Sequence, residues 1–141
     1  MDRIDVLMKT FIATFGAFCG YFLGGWDATL KVLVIMTVID YLTGVLAAGV
    51  NGTLKSKIGF KGIAKKVMLF LLVAAATQVD IVMGTKNSVR EATLFLFIGN
   101  ELLSLLENAG SMGIKLPSVF MNAIEVLGGK QKQEIKKGDV E

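Results

Sequence analysis

Three carboxyl groups, Asp40, Asp80 and Glu101, stand inside apolar stretches of this 141-residue chain. A carboxylate at mid-membrane depth costs about 2.5–3.5 kcal/mol on insertion scales, so each is expected to face protein or water and not lipid. Asp40 is nearest the middle of its stretch, with Tyr41 beside it and Gly44 one turn on; Asp80 lies close to a helix end. Around Glu101 polar residues recur at one helical turn: Asn100 and Glu101, then Ser104, then Glu107 and Asn108. A helix with such a stripe needs either polar partner helices, which would fix a bundle, or a wet lumen to line. Asp40, Asp80, Asn100, Glu101, Ser104 and Asn108 are the pore-lining or gating candidates. The same carboxylates would suit a small ion or proton channel or carrier. A chain of 141 residues without inverted repeats or broken helices is short for a transporter.

Other chemistry is excluded by composition. The chain has no His and a single Cys, Cys19, which removes disulfide frameworks, His/Cys zinc sites and both Ser-His-Asp and Cys-His catalysis. Cys19 sits among small and apolar residues and reads as a packed thiol. No nucleophile–base set remains, so neither an enzyme nor a cofactor is expected.

The elements that position these residues follow from hydropathy. The chain is 53% hydrophobic and 19% charged, with a mean hydropathy of +0.62, which marks the bilayer as its solvent. An all-α, polytopic membrane bundle is predicted, with four spans at about residues 6–24, 30–50, 66–83 and 91–107. The first run lacks a clear cleavage site and reads as retained; Lys9 leaves it either spanning or lying at the interface. Residues 1–110 form the bundle and 111–141 a cytoplasmic extension. In that extension Leu116, Phe120, Ala123, Ile124 and Leu127 share one face of a short amphipathic helix, a candidate docking element for another membrane protein, and Lys130 to Glu141 is a charged tail. Residues 51–66 read as a polar loop, and Trp26 as an interfacial anchor in the turn Gly24-Gly25-Trp26-Asp27.

Small residues suggest close packing. Gly16, Gly20 and Gly24 are four apart, as are Gly44 and Ala48, a spacing that lets helix backbones approach either within one chain or between copies. Charge gives orientation. With four spans, twelve of the fifteen Lys and Arg residues share the side of both termini and of the 51–66 loop, which places both ends in the cytoplasm. Lys55, Lys57, Lys61, Lys65 and Lys66 are expected to anchor to anionic lipid headgroups; they lack the interleaved aromatics of a nucleic-acid surface.

The run D-Y-L-T-G-V-L-A-A-G from Asp40 to Gly49, then N-G-T-L-K-S-K-I-G-F-K-G-I-A-K-K from Asn51 to Lys66, then Val79-Asp80, resembles the toxin secretion/phage lysis holin family. So does E-L-L-S-L-L-E-N-A-G from Glu101 to Gly110, leading to Leu116-Pro117. The resemblance covers about residues 30 to 130 through the order and spacing of these runs, and leaves the first segment outside. It implies a small phage or prophage protein of the bacterial cytoplasmic membrane that associates with its own copies into lesions. Through those lesions a cell-wall endolysin, or in some relatives a toxin, leaves the cell.

Overall fold

The computed structural model describes residues 2–122 and 125–126. Its four long helices are α1 (Arg3–Phe22), α2 (Ala28–Val50), α3 (Ser56–Met83) and α4 (Ser88–Ser111). No strand occurs among the described residues, so the all-α class holds. Each helix start and stop has a local cause. Asp27 caps α2 by accepting from the Leu30 amide at 2.9 Å. Gly84 ends α3 in the left-handed conformation, φ +66°, which glycine adopts without strain. Asp80 caps α4 from the previous helix: its carboxylate accepts from the Val89 and Arg90 amides at 2.9 and 2.8 Å and from the Thr85 hydroxyl.

Short turns make successive helices antiparallel, so α2 and α4 run parallel and α3 opposes both. The polar helix α4 packs on α2 and on α3, while α2 and α3 touch each other little. Of the stripe on α4, Glu101, Ser104 and Asn108 are thereby turned to protein, whereas Asn100 and Glu107 are exposed. Buried Leu23, Leu30, Leu33, Val73 and Leu94 form an apolar cluster at the end where α2 and α4 begin. At the opposite end the Asn51 side chain donates to the Ser111 carbonyl.

α1 stands apart. Gly20 is its one buried residue, and Phe11, Phe15, Phe18 and Tyr21 are all exposed. In water such a helix could not remain solvated; in lipid it needs no partner.

Three places in the structure bear on the sequence reading. The loop predicted over 51–66 is mostly helix, because α3 begins at Ser56. Lys, Ile and Ala are adequate helix formers, and polarity alone does not break a helix. At 28 residues α3 is about 42 Å long against a ~30 Å hydrocarbon core, so its first turns extend beyond the core as helix. Secondly, α1, α2 and α3 are long and apolar enough to cross a membrane. α4 has the length, but its charges Arg90, Glu91, Glu101 and Glu107 set it apart from those three. Thirdly, Gly24 falls beyond α1, with φ +83°, so only Gly16 and Gly20 of the glycine series lie on the helix. Of the amphipathic C-terminal segment, residues 118–122 are helical; Ala123, Ile124, Leu127 and the charged tail lie outside the described residues.

Candidate functional site

Asp40 on α2, Lys66 on α3 and Glu101 on α4 each lie ten residues from a helix end on the same side of the bundle, roughly 15 Å along the axis. They meet there. The Lys66 ammonium forms ion pairs with the Asp40 and Glu101 carboxylates, so one side chain ties three helices together. Asn108, two turns beyond Glu101, donates through Nδ2 to the Asp40 carboxylate and the Thr43 hydroxyl, both at 3.0 Å, and toward the Asp40 carbonyl at 3.2 Å. Gly44 leaves room for it: a Cβ there would lie 3.6 Å from the Asn108 amide.

Helical spacing explains the assembly. Asp40, Thr43 and Gly44 share one face of α2, and Glu101, Ser104 and Asn108 share one face of α4. Glu101 is 2% exposed and Asp40 5%, so both carboxylates have lost their water and depend on Lys66. At such depth removing one partner is far more costly than the pair is stabilising. Tyr41, next to Asp40, lies over Gly59 and Gly62 of α3, where a Cβ would meet its hydroxyl or ring at 3.4–3.5 Å.

A second polar cluster closes the other end. Arg90 is fully buried, and all five of its guanidinium N–H donors are used. Nε donates to the Leu23 carbonyl at 2.6 Å, and Nη2 to the Gly25 carbonyl at 3.0 Å. The Asp27 carboxylate receives one bond from Nη1 at 2.6 Å and one from Nη2 at 3.2 Å, and Glu91 one from Nη1 at 3.0 Å. A Cβ on Gly24 would fall 2.6 Å from Nε. Hydrogen bonding from Arg90 holds the Asp27 carboxyl below its ordinary value of 3.8, against the opposing effect of its partial burial. Asp27 therefore contributes stability that is present above pH 3.8 and is lost as pH falls through its lower folded value. Acid titration of the solubilised protein should loosen this end only below that pH, and Asp27→Asn should abolish the dependence; Trp26 fluorescence reads it.

Asp40, Glu101 and Asn108 are thus brought together by the fold. Ser104 is half-buried on the same face of α4, and Asn100 is exposed away from it. Asp80 is at the opposite end as the cap of α4. Ala48 is half-buried one turn past Gly44. Lys55, Lys57, Lys61 and Lys65 are exposed, whereas Lys66 is half-buried and ion-paired with Asp40 and Glu101. Gly20 lies against the chain's own Trp26, whose Nε1 donates to the Gly16 carbonyl. Sequence reasoning misses Lys66 as the third member of the centre. Its spacing from Gly59, Gly62, Val73 and Asp80 places it on the inward face of α3, and that periodicity is a usable signal. Arg90 reads in the sequence only as a charge on the far side; nothing in its neighbours marks it as buried.

The sequence profile of the bacteriophage holin family matches residues 17–129, a stretch that contains every member of both polar clusters. The chain belongs to the bacteriophage holin family. Among relatives of this holin-family chain is an uncharacterized protein of Listeria monocytogenes, 46% identical over 136 residues that cover 96% of this chain and 97% of the relative. A protein of Bacillus phage phi105 named a probable holin is 31% identical over 110 residues, 78% of this chain and 82% of its own length. An uncharacterized 14.9 kDa protein from Clostridium perfringens is 30% identical over 132 residues, 93% of this chain and all of the relative. No solved structure matches the holin chain.

Proposed function

We propose that this protein is a working holin: it crosses the bacterial cytoplasmic membrane four times, with both termini in the cytoplasm. It accumulates there, associates with its own copies and opens lesions through which an endolysin or a toxin leaves. The observation that carries this reading is the Asp40–Lys66–Glu101 centre in a family of phage lysis proteins. In the closed bundle every charge of the centre is paired, and no buried side-chain nitrogen or oxygen among the described residues lacks a partner. Such a bundle is harmless in a bilayer. When copies associate, the same polar faces of α2 and α4 have a second use, since carboxylates, Ser104 and Asn108 turned away from Lys66 can line water. Two packings of one sequence give the switch from inert to permeabilising.

The outward lysines fit the same orientation. Lys57, Lys61 and Lys65 recur every four residues along the exposed side of the first turns of α3, where they meet anionic headgroups of the cytoplasmic leaflet. Lys66 belongs to the centre and takes no part in this.

The test is induced expression in bacteria together with a cell-wall endolysin that lacks its own export signal. Respiration should halt abruptly and lysis should follow. Normal growth at confirmed high membrane levels of the protein would contradict the proposal. A small-ion carrier is the rival reading, and the pairing of Asp40 and Glu101 by Lys66 weighs against it because relay groups need to exchange protons. Reconstituted vesicles separate the two: release of a trapped folded protein belongs to a holin, selective flux of a small ion to a carrier.

A further inference from the structure

α1 touches the rest of the molecule only near its C-terminal end, where half-buried Cys19 packs against the apolar cluster and the turn that follows folds back on the helix. The indole of Trp26 folds back along the helix, and its Nε1 donates to the Gly16 carbonyl at 2.9 Å. The ring lies directly on Gly20: a Cβ at that position would fall 2.5 Å from Nε1 and 2.6 Å from Cδ1. No side chain fits there, which explains why a glycine is the one buried residue of α1. Between α1 and Trp26 run Leu23, Gly24 and Gly25; both glycines have positive φ, +83° and +108°, a conformation other residues resist. Arg90 grips this turn by the Leu23 and Gly25 carbonyls. Beyond these contacts the apolar length of α1, from Ile4 to Phe15, is exposed.

The geometry points to a hinged arm. We propose that Trp26 is a latch: its seat on Gly16 and Gly20 fixes the angle of α1 to the bundle, while the Arg90 grip on Leu23 and Gly25 is the fixed side of the hinge. Apolar helices in lipid gain nothing from non-specific contact, so once the indole leaves, only the Cys19 contact remains, and it lies in the last turn of α1, too near the pivot to fix where the helix points. The α2–α4 bundle does not depend on the latch and stays assembled with the arm released. This inference concerns the fold alone and stands whether or not the protein opens lesions.

Spin-label distance measurement in lipid nanodiscs tests it. The parent for labelling carries Cys19→Ser, Ile12→Cys on α1 and Ile81→Cys on α3, the labelled positions being 66% and 69% exposed. A single narrow distance is expected. Gly20→Ala should replace it with a broad distribution and shift the emission of Trp26, the chain's one tryptophan. Gly16→Ala is the control: it gains the same helix propensity, yet a Cβ there meets nothing within 4 Å, so the narrow distance should survive. Loss of helix cannot explain the difference, because both changes favour helix. A Gly20→Ala distribution as narrow as the parent's would overturn the latch, and so would equal broadening by both variants.

Discussion

Lys66→Met is expected to destabilise the bundle by about 3–5 kcal/mol, because it leaves two buried carboxylates facing each other without their shared cation. Methionine keeps most of the length and the apolar stem, so lost packing contributes little. The neutral triple variant Lys66→Met, Asp40→Asn, Glu101→Gln should recover most of the loss, since it removes all three charges while keeping side-chain volume. Reversible unfolding in mixed micelles measures both. Equal stability of Lys66→Met and the native chain would mean that water already reaches the carboxylates in the closed state.

Arg90→Ala should have an effect of similar size by a different route. It leaves the carbonyls of Leu23 and Gly25 without their donor and removes the cation between Asp27 and Glu91. Breaking such a buried set costs about 3–5 kcal/mol. The lower part of that range is expected, because the carboxylates of Asp27 and Glu91 are 43% and 37% exposed and can rehydrate. Arg90→Lys should rescue little, because a single ammonium cannot reproduce a planar fork with donors in five directions. Unfolding midpoints should therefore fall for both variants, and a native midpoint for Arg90→Lys would show that charge alone suffices at this position.

Much of this architecture is legible in the amino-acid sequence. Apolar runs of spanning length identify α1, α2 and the apolar part of α3, and the one-turn recurrence of Glu101, Ser104 and Asn108 identifies the inward face of α4. The inward placement of Asp40 and Glu101 follows from the penalty for carboxylates in lipid, but their meeting with each other and with Asn108 does not. What stays hidden depends on long-range geometry. Lys66 ends a run of lysines whose other members are exposed, and composition alone assigns it with them; only the helical phase of α3, continued into the polar segment, separates it. Gly20 and Gly24 share one spacing but not one role. Gly20 accommodates an indole six residues ahead, and Gly24 supplies a positive φ beside a guanidinium. Spacing cannot tell a docking face from a turn when the helix ends between the two glycines. Asp80 reads as a pore-lining or gating candidate close to a helix end, and in the fold it caps the next helix across a four-residue turn.

In the proposed function the Asp40–Lys66–Glu101 centre holds the closed bundle and then serves the open one. Its most direct test is release of a trapped fluorescent protein from anionic-lipid vesicles, comparing the native chain with the neutral triple variant at matched membrane density. The native chain is expected to release the protein above a threshold density, whereas the triple variant, folded and inserted, does not. Release by the triple variant at the native threshold would contradict it and reduce the centre to a packing device.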